Sequence, residues 1–144
     1  MDKQTLQTFE ASLARCNESP VFLDRFYEIF LSSSPKVQAK FVHTDFVRQK
    51  RALRASLQLM LVVAEDEVNG PERYLRDLAA QHSKAQLDIG AELYDLWIDS
   101  LLATVKECDP RHNSAIARAW EDVMMVGVSY LLSRYHPRQG ETGG

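Results

Sequence analysis

An all-α fold is predicted by three observations. Glycine is scarce: there are six, and three of them (Gly140, Gly143, Gly144) stand at the very end of the chain. Hairpin signals are missing, because Asn69-Gly70 runs straight into Pro71 and reads as a helix stop and restart. Apolar residues recur at helical spacing instead of alternating.

The elements follow in order. Leu6, Phe9 and Leu13 mark a first helix. Ser19-Pro20 reads as a cap with proline at the first helical position, opening a second helix that carries Phe22, Leu23, Phe26, Tyr27 and Phe30 on one face. Ser34-Pro35 repeats that signal for a short helix ending near Phe41. Thr44-Asp45 opens a long helix with a stripe of Leu53, Leu57, Met60, Leu61 and Ala64, which stops at Asn69-Gly70. Pro71 and Glu72 start a shorter helix with Leu75, Leu78, Ala79 and His82 in register. Asp88 or Gly90 precedes the next, with Leu93, Leu96, Trp97 and Leu101, and Asp109-Pro110 breaks it. Ile116, Trp120, Val123, Gly127, Tyr130 and Leu131 mark the last. About seven helices result, with short loops and no internal repeat or linker. One domain is expected over residues 1–135, with 136–144 as a disordered polar tail.

Composition narrows the function classes. The 144 residues are 45% hydrophobic and 26% charged, an ordinary globular balance. A chain of this size buries roughly 70% of its unfolded surface, enough for a core without covalent staples. The formal net charge of -3 offers no basis for a nucleic-acid partner. The longest purely apolar run, residues 59–64, is far short of the roughly 20 residues that span a membrane. No secretory signal opens the chain, and the two cysteines, Cys16 and Cys108, read as free thiols in a reducing compartment. The expected location is cytoplasmic.

His82 is the one histidine in mid-stripe; His43 falls in a loop, His112 near a helix start and His136 near the end. Two readings of His82 stand side by side. It is a core histidine with both ring nitrogens satisfied, or one nitrogen bonds the carbonyl of Leu78 and the other offers a lone pair to a metal. No cluster has zinc spacing, and no P-loop or dinucleotide fingerprint is present.

The order of other landmarks bears on that choice. Phe26-Tyr27-Glu28-Ile29-Phe30, then Pro35 and Phe41, resemble the early helices of bacterial globins. Gln49-Lys50-Arg51-Ala52-Leu53 resembles their distal helix, and Leu78-Ala79-Ala80-Gln81-His82 their proximal helix. Leu93-Tyr94, Ser100-Leu101-Leu102-Ala103-Thr104-Val105 and Ala119-Trp120-Glu121 resemble the last two helices. The ordered set Tyr27, Phe41, Gln49, His82 and Trp120, within a likeness running from about Leu6 to Tyr135, is similar to single-domain bacterial globins and to the globin domain of flavohaemoglobins.

That resemblance implies a globin fold around haem b (iron protoporphyrin IX), with His82 as the axial ligand. Tyr27 and Gln49 take the distal polar positions, Phe41 packs on the haem face and Leu53 stands over the iron. Leu57, Leu78, Leu87, Ile89 and Leu93 line the haem or serve as plain core. Trp97 and Trp120 read as helix-packing anchors. Arg48, Lys50, Arg51, Arg54 and Lys84 form a solvated face, or one of them pairs with a haem propionate. The implied ligands are oxygen, nitric oxide and carbon monoxide. The implied activities are reversible gas binding and oxidation of nitric oxide to nitrate, with electrons from a separate reductase, since the chain carries no reductase domain. The alternative is a gas-sensing globin domain that regulates a partner or an output domain absent from this chain. A third reading is a helical interaction module in which His82 is only core. The sequence departs from the flavohaemoglobin pattern in loop lengths around Gln49 and after His82. It also has Tyr135 where that family carries a glutamate near the proximal histidine.

Overall fold

The computed structural model describes residues 1–136. The tail expected over 136–144 therefore lies, beyond His136, outside the described residues. The described chain forms seven α-helices and no strand: α1 (Lys3–Glu18), α2 (Phe22–Ser33), α3 (Pro35–Lys40), α4 (Phe46–Glu65), α5 (Gly70–His82), α6 (Ala91–Cys108) and α7 (Ser114–Ser133).

Local chemistry sets most boundaries. The Asp2 carboxylate accepts the Thr5 N–H at 2.7 Å and starts α1. Ser34 caps α3 through the Lys36 N–H, with Pro35 in the first turn. Asp45 caps α4 and Asn113 caps α7 in the same way. The expected start of α2 at Pro20 is displaced to Phe22. The reason is that Ser19 already closes α1, its N–H bonding the Cys16 carbonyl at 3.0 Å. Similarly, α4 ends at Glu65, not at Asn69-Gly70, because a tight turn at Asp66 intervenes.

Helix α7 lies centrally and packs on α1, α4, α5 and α6, while α2 packs chiefly on α6. Two glycines permit close approaches. A Cβ on Gly70 would come within 2.6 Å of the Val63 carbonyl oxygen, which is backbone and cannot step aside. A Cβ on Gly127 would collide with the Met60 sulfur where α4 crosses α7.

The core beneath α7 includes Phe9, Phe22 and Trp120, with Phe9 and Trp120 edge to face at 4.7 Å. A polar network is buried beside it. Ser12 Oγ donates to Asp109 Oδ2 at 2.6 Å and accepts from Trp120 Nε1 at 2.8 Å. Arg15 makes two bonds to the same carboxylate, at 2.7 and 2.9 Å, and the Arg111 N–H adds another at 2.9 Å. Burial alone would raise the Asp109 carboxyl, but Arg15, Ser12 and Arg111 together hold it at about 2. Nearby, burial above all pushes the Cys16 thiol up to about 12. No described helix is long and apolar enough to cross a membrane.

Candidate functional site

A cavity of about 440 Å³ opens among α2, α3, α4, α5, α6 and α7, within the roughly 300–1,000 Å³ typical of small-molecule sites. Its walls are largely apolar, so the few polar groups in them stand out.

His82 enters from α5. Its Nδ1 lies 2.8 Å from the Leu78 carbonyl, one turn back on the same helix. A carbonyl only accepts, so Nδ1 carries the hydrogen and Nε2 keeps its lone pair. No described residue bonds Nε2. Burial lowers the His82 pKa, outweighing the opposing pull of the Leu78 bond, and so favours the neutral ring. The result is a fixed imidazole with a free lone pair in a greasy cavity.

Tyr27 and Gln49 line the same cavity from α2 and α4. The Tyr27 ring is wedged among aromatics, with Phe46 at 5.3 Å and Phe41 at 5.9 Å between centroids. Burial pushes its phenol up to about 12, against a smaller downward pull from Gln49.

Phe41, Leu53, Leu78, Leu87, Ile89 and Leu93 all contribute to the wall. Leu57 does not: it is fully buried, but faces the helix core. On a wheel of about 100° per residue, Gln49, Ala52, Ser56 and Met60 fall to one side of Leu53 and Leu57 falls to the other. Of the expected cations, Arg48, Lys50, Arg51, Arg54 and Lys84 are all missing from the wall, and Lys50 pairs with Asp24 at 2.6 Å. His43 is exposed and outside it too.

Sequence reasoning missed several wall residues. Trp97, read as a packing anchor, is one, and Lys40, at the end of α3, is another. Tyr94 is the most informative of them. It is buried, its ring lies 6.4 Å from that of His82, and its hydroxyl has no partner. The signal for it was available in its place between Leu93 and Trp97 on the stripe of α6.

The loop 83–90 closes one side. Asp88 adopts φ 56°, a left-handed conformation that aspartate tolerates better than most side chains. The Tyr135 hydroxyl donates to the Asp88 carboxylate, and the Lys84 N–H bonds the Tyr135 carbonyl at 2.9 Å. Tyr135 is therefore a clasp on this loop and takes no place in the cavity wall.

The donor set indicates what the cavity suits. No group of three or more His, Cys, Asp or Glu side chains stands together among the described residues. One imidazole cannot hold a bare ion, so a metal at His82 must arrive with its other ligands already in place. A flat, apolar chelate such as an iron tetrapyrrole meets that requirement, and the apolar walls and single imidazole nitrogen fit it. A second cleft over α5 and α7 is more polar, and its charged groups Glu72, Arg76 and Arg134 are paired with one another.

Comparison with known proteins gives one informative likeness. The chain superposes with a TM-score of 0.85 on protein PA3967 of Pseudomonas aeruginosa PAO1, whose crystal structure is structurally highly homologous to a human hemoglobin. The two sequences are 41% identical, over 91% of this chain and 98% of that one. No protein-family model and no curated protein matches the chain.

Proposed function

The chain belongs to the globin family, and from that premise we propose that its cavity holds haem b and binds diatomic gases at the iron. One observation carries the reading: the His82 ring, locked by Leu78, presents an unpartnered nitrogen to a cavity that Tyr27 and Gln49 also line. When bound, the haem supplies a redox-active iron with a position for oxygen, nitric oxide or carbon monoxide.

The chain's own residues do the rest. His82 Nε2 would hold the iron, and the Nδ1–H bond to Leu78 fixes the ring's orientation and adds to its basicity. Phe41, Leu53, Leu78, Ile89 and Leu93 exclude water and hold the ring system by contact. Tyr27, its phenol raised to about 12, remains a donor across the physiological range. Gln49 lines the same cavity, and its side-chain amide is a second donor toward the gas. A polarised gas gains more from that donor than carbon monoxide does, because hydrogen bonds to charged acceptors are roughly twice as strong. The same arrangement suits oxidation of nitric oxide to nitrate, with electrons from a separate reductase.

The test is an absorption spectrum of the ferrous and carbonyl forms, beside His82→Ala. The wild-type chain should take up haem with the bands of a histidine-ligated protein, and the variant should lose them. Unchanged bands in the variant would remove His82 from the iron. Sustained nitrate production from nitric oxide and oxygen with an added reductase would establish turnover, and stoichiometric consumption alone would leave a gas binder.

A further inference from the structure

Helix α4 carries its charges against its own dipole. Arg48, Lys50, Arg51 and Arg54 stand in its first half, no acid stands in its first turn, and its last residue is Glu65. The N-terminal end of a helix is the positive one, so cations are favoured at the opposite end. Spacing adds to the cost. Arg48, Arg51 and Arg54 follow at intervals of three, which sets like charges side by side, and no acid lies three or four residues from Arg51 or Arg54 to offset them. All three are exposed, and their guanidinium groups have no partner among the described residues. Residues 36–54 hold six Lys and Arg against one acid, Asp45, whose carboxylate is spent on capping the helix. The stretch therefore carries a formal charge of +5 in a chain of -3, so the remainder carries -8. Sequences that break local rules in this way do so chiefly at functional sites.

Two apolar side chains are bare in the same place, Val42 by 69% and Val47 by 67%. On a wheel of about 100° per residue, Val47, Arg51 and Arg54 fall within about 60° of one another, and Arg48 stands about 40° from Ala52, a residue of the cavity wall. Exposed apolar groups rimmed by arginine have the composition of an interface. We propose that the first half of α4 is a docking face for the acidic surface of a one-electron donor protein, which delivers its electron to the iron in the adjoining cavity. The donor's role rests on the haem reading above. Each encounter passes one electron: the donor is oxidised, and ferric iron becomes ferrous. A patch of two valines among three arginines is small, and electron-transfer encounters are the class that makes do with interfaces below about 1,200 Å². The uncompensated cations steer an acidic partner to this face and set its orientation. A membrane surface or a nucleic acid is a poorer match, because an extended polyanion runs on past the patch and meets the acidic remainder of the chain.

The experiment mixes the haem-loaded ferric chain, without air, with a reduced plant-type [2Fe–2S] ferredoxin, a strongly acidic one-electron carrier, and follows the ferrous form by absorbance. Binding of the oxidised ferredoxin is measured separately by calorimetry, on the chain with and without haem. The wild-type chain should bind the ferredoxin and be reduced by it, and both should weaken as salt is added. The triple variant Arg48→Glu, Arg51→Glu, Arg54→Glu should be reduced roughly tenfold or more slowly at low salt, the low end of electrostatic steering. The corresponding Gln variant should fall between. The Glu variant's thermal midpoint should equal or exceed that of wild type, since acids suit this end of a helix, and its carbonyl spectrum should be unchanged. No binding to the wild-type chain, or equal affinities and rates in wild type and variant, would overturn the docking face. So would affinity for phosphatidylserine vesicles or duplex DNA that the variant loses while its ferredoxin binding persists. Ferredoxin binding that the variant loses, in a chain that takes up no haem, would instead sink the haem reading and leave the docking face standing.

Discussion

The two ends of α6 bury polar groups in opposite ways. At its C-terminal end Asp109 sits with four donors: Ser12, two arms of Arg15 and the Arg111 N–H. At its N-terminal end Tyr94 is just as deeply placed and its hydroxyl has no partner. The nearby His82 uses one ring nitrogen and leaves the other free. Buried polar groups are normally satisfied, because each unmet one costs about 1–3 kcal/mol. The satisfied end is scaffold: it fastens α1 to the α6–α7 turn and, through Trp120, to α7. The other end carries the polar groups of the cavity wall.

That contrast can be broken by mutation. The largest effect is expected at Asp109. Replacement by Ala strands Arg15 and Ser12, and urea unfolding should show a loss of about 3 kcal/mol. A loss no greater than that at Tyr94 would erase the distinction. The pH dependence sharpens it. The folded carboxyl titrates at about 2 against an ordinary 3.8, so its stabilisation is complete above the unfolded value and is lost as pH falls toward 2. Asp109→Asn should flatten that part of the stability-against-pH curve. Next in size, Tyr27→Phe in the haem-loaded chain should raise the oxygen dissociation rate roughly tenfold, the worth of one hydrogen bond to a polarised ligand. A rate equal to wild type would show that Tyr27 donates nothing. The smallest effect belongs to Tyr94→Phe, which removes an unmet hydroxyl. The ligand-free chain should keep its stability or gain up to about 1 kcal/mol, and a clear loss would reveal a partner for that oxygen.

Most of the fold was legible because helix ends are local. Ser34-Pro35, Asp45, Gly90 and Asn113 mark boundaries through atoms only a few residues away. Ser19-Pro20 misled because one serine can close a helix as readily as open the next. In the site, Tyr27, Gln49 and His82 do share one cavity, as the resemblance to bacterial globins implied. Leu57 was left open between wall and core, because a stripe names a helix face without saying where the core ends and a cavity begins; it lies in the core. Lys40 was invisible for a different reason. Its place depends on how a short helix meets a loop far along the chain, and residues such as Arg48 and Lys84 look equally cationic in sequence. The Asp109 network was unreadable for the same reason, since its partners Ser12 and Arg15 stand in another helix.

The sealed thiol of Cys16 has a use. Its partner in composition, Cys108, is half-buried at the end of α6, whereas Cys16 is fully enclosed with its ionisation suppressed. An alkylating reagent should label Cys108 through minor fluctuations and reach Cys16 only when α1 detaches. The ratio of the two labelling rates thus gives an unmodified chain an internal clock for fraying against wholesale opening. Adding haem should slow the second hand of that clock more than the first.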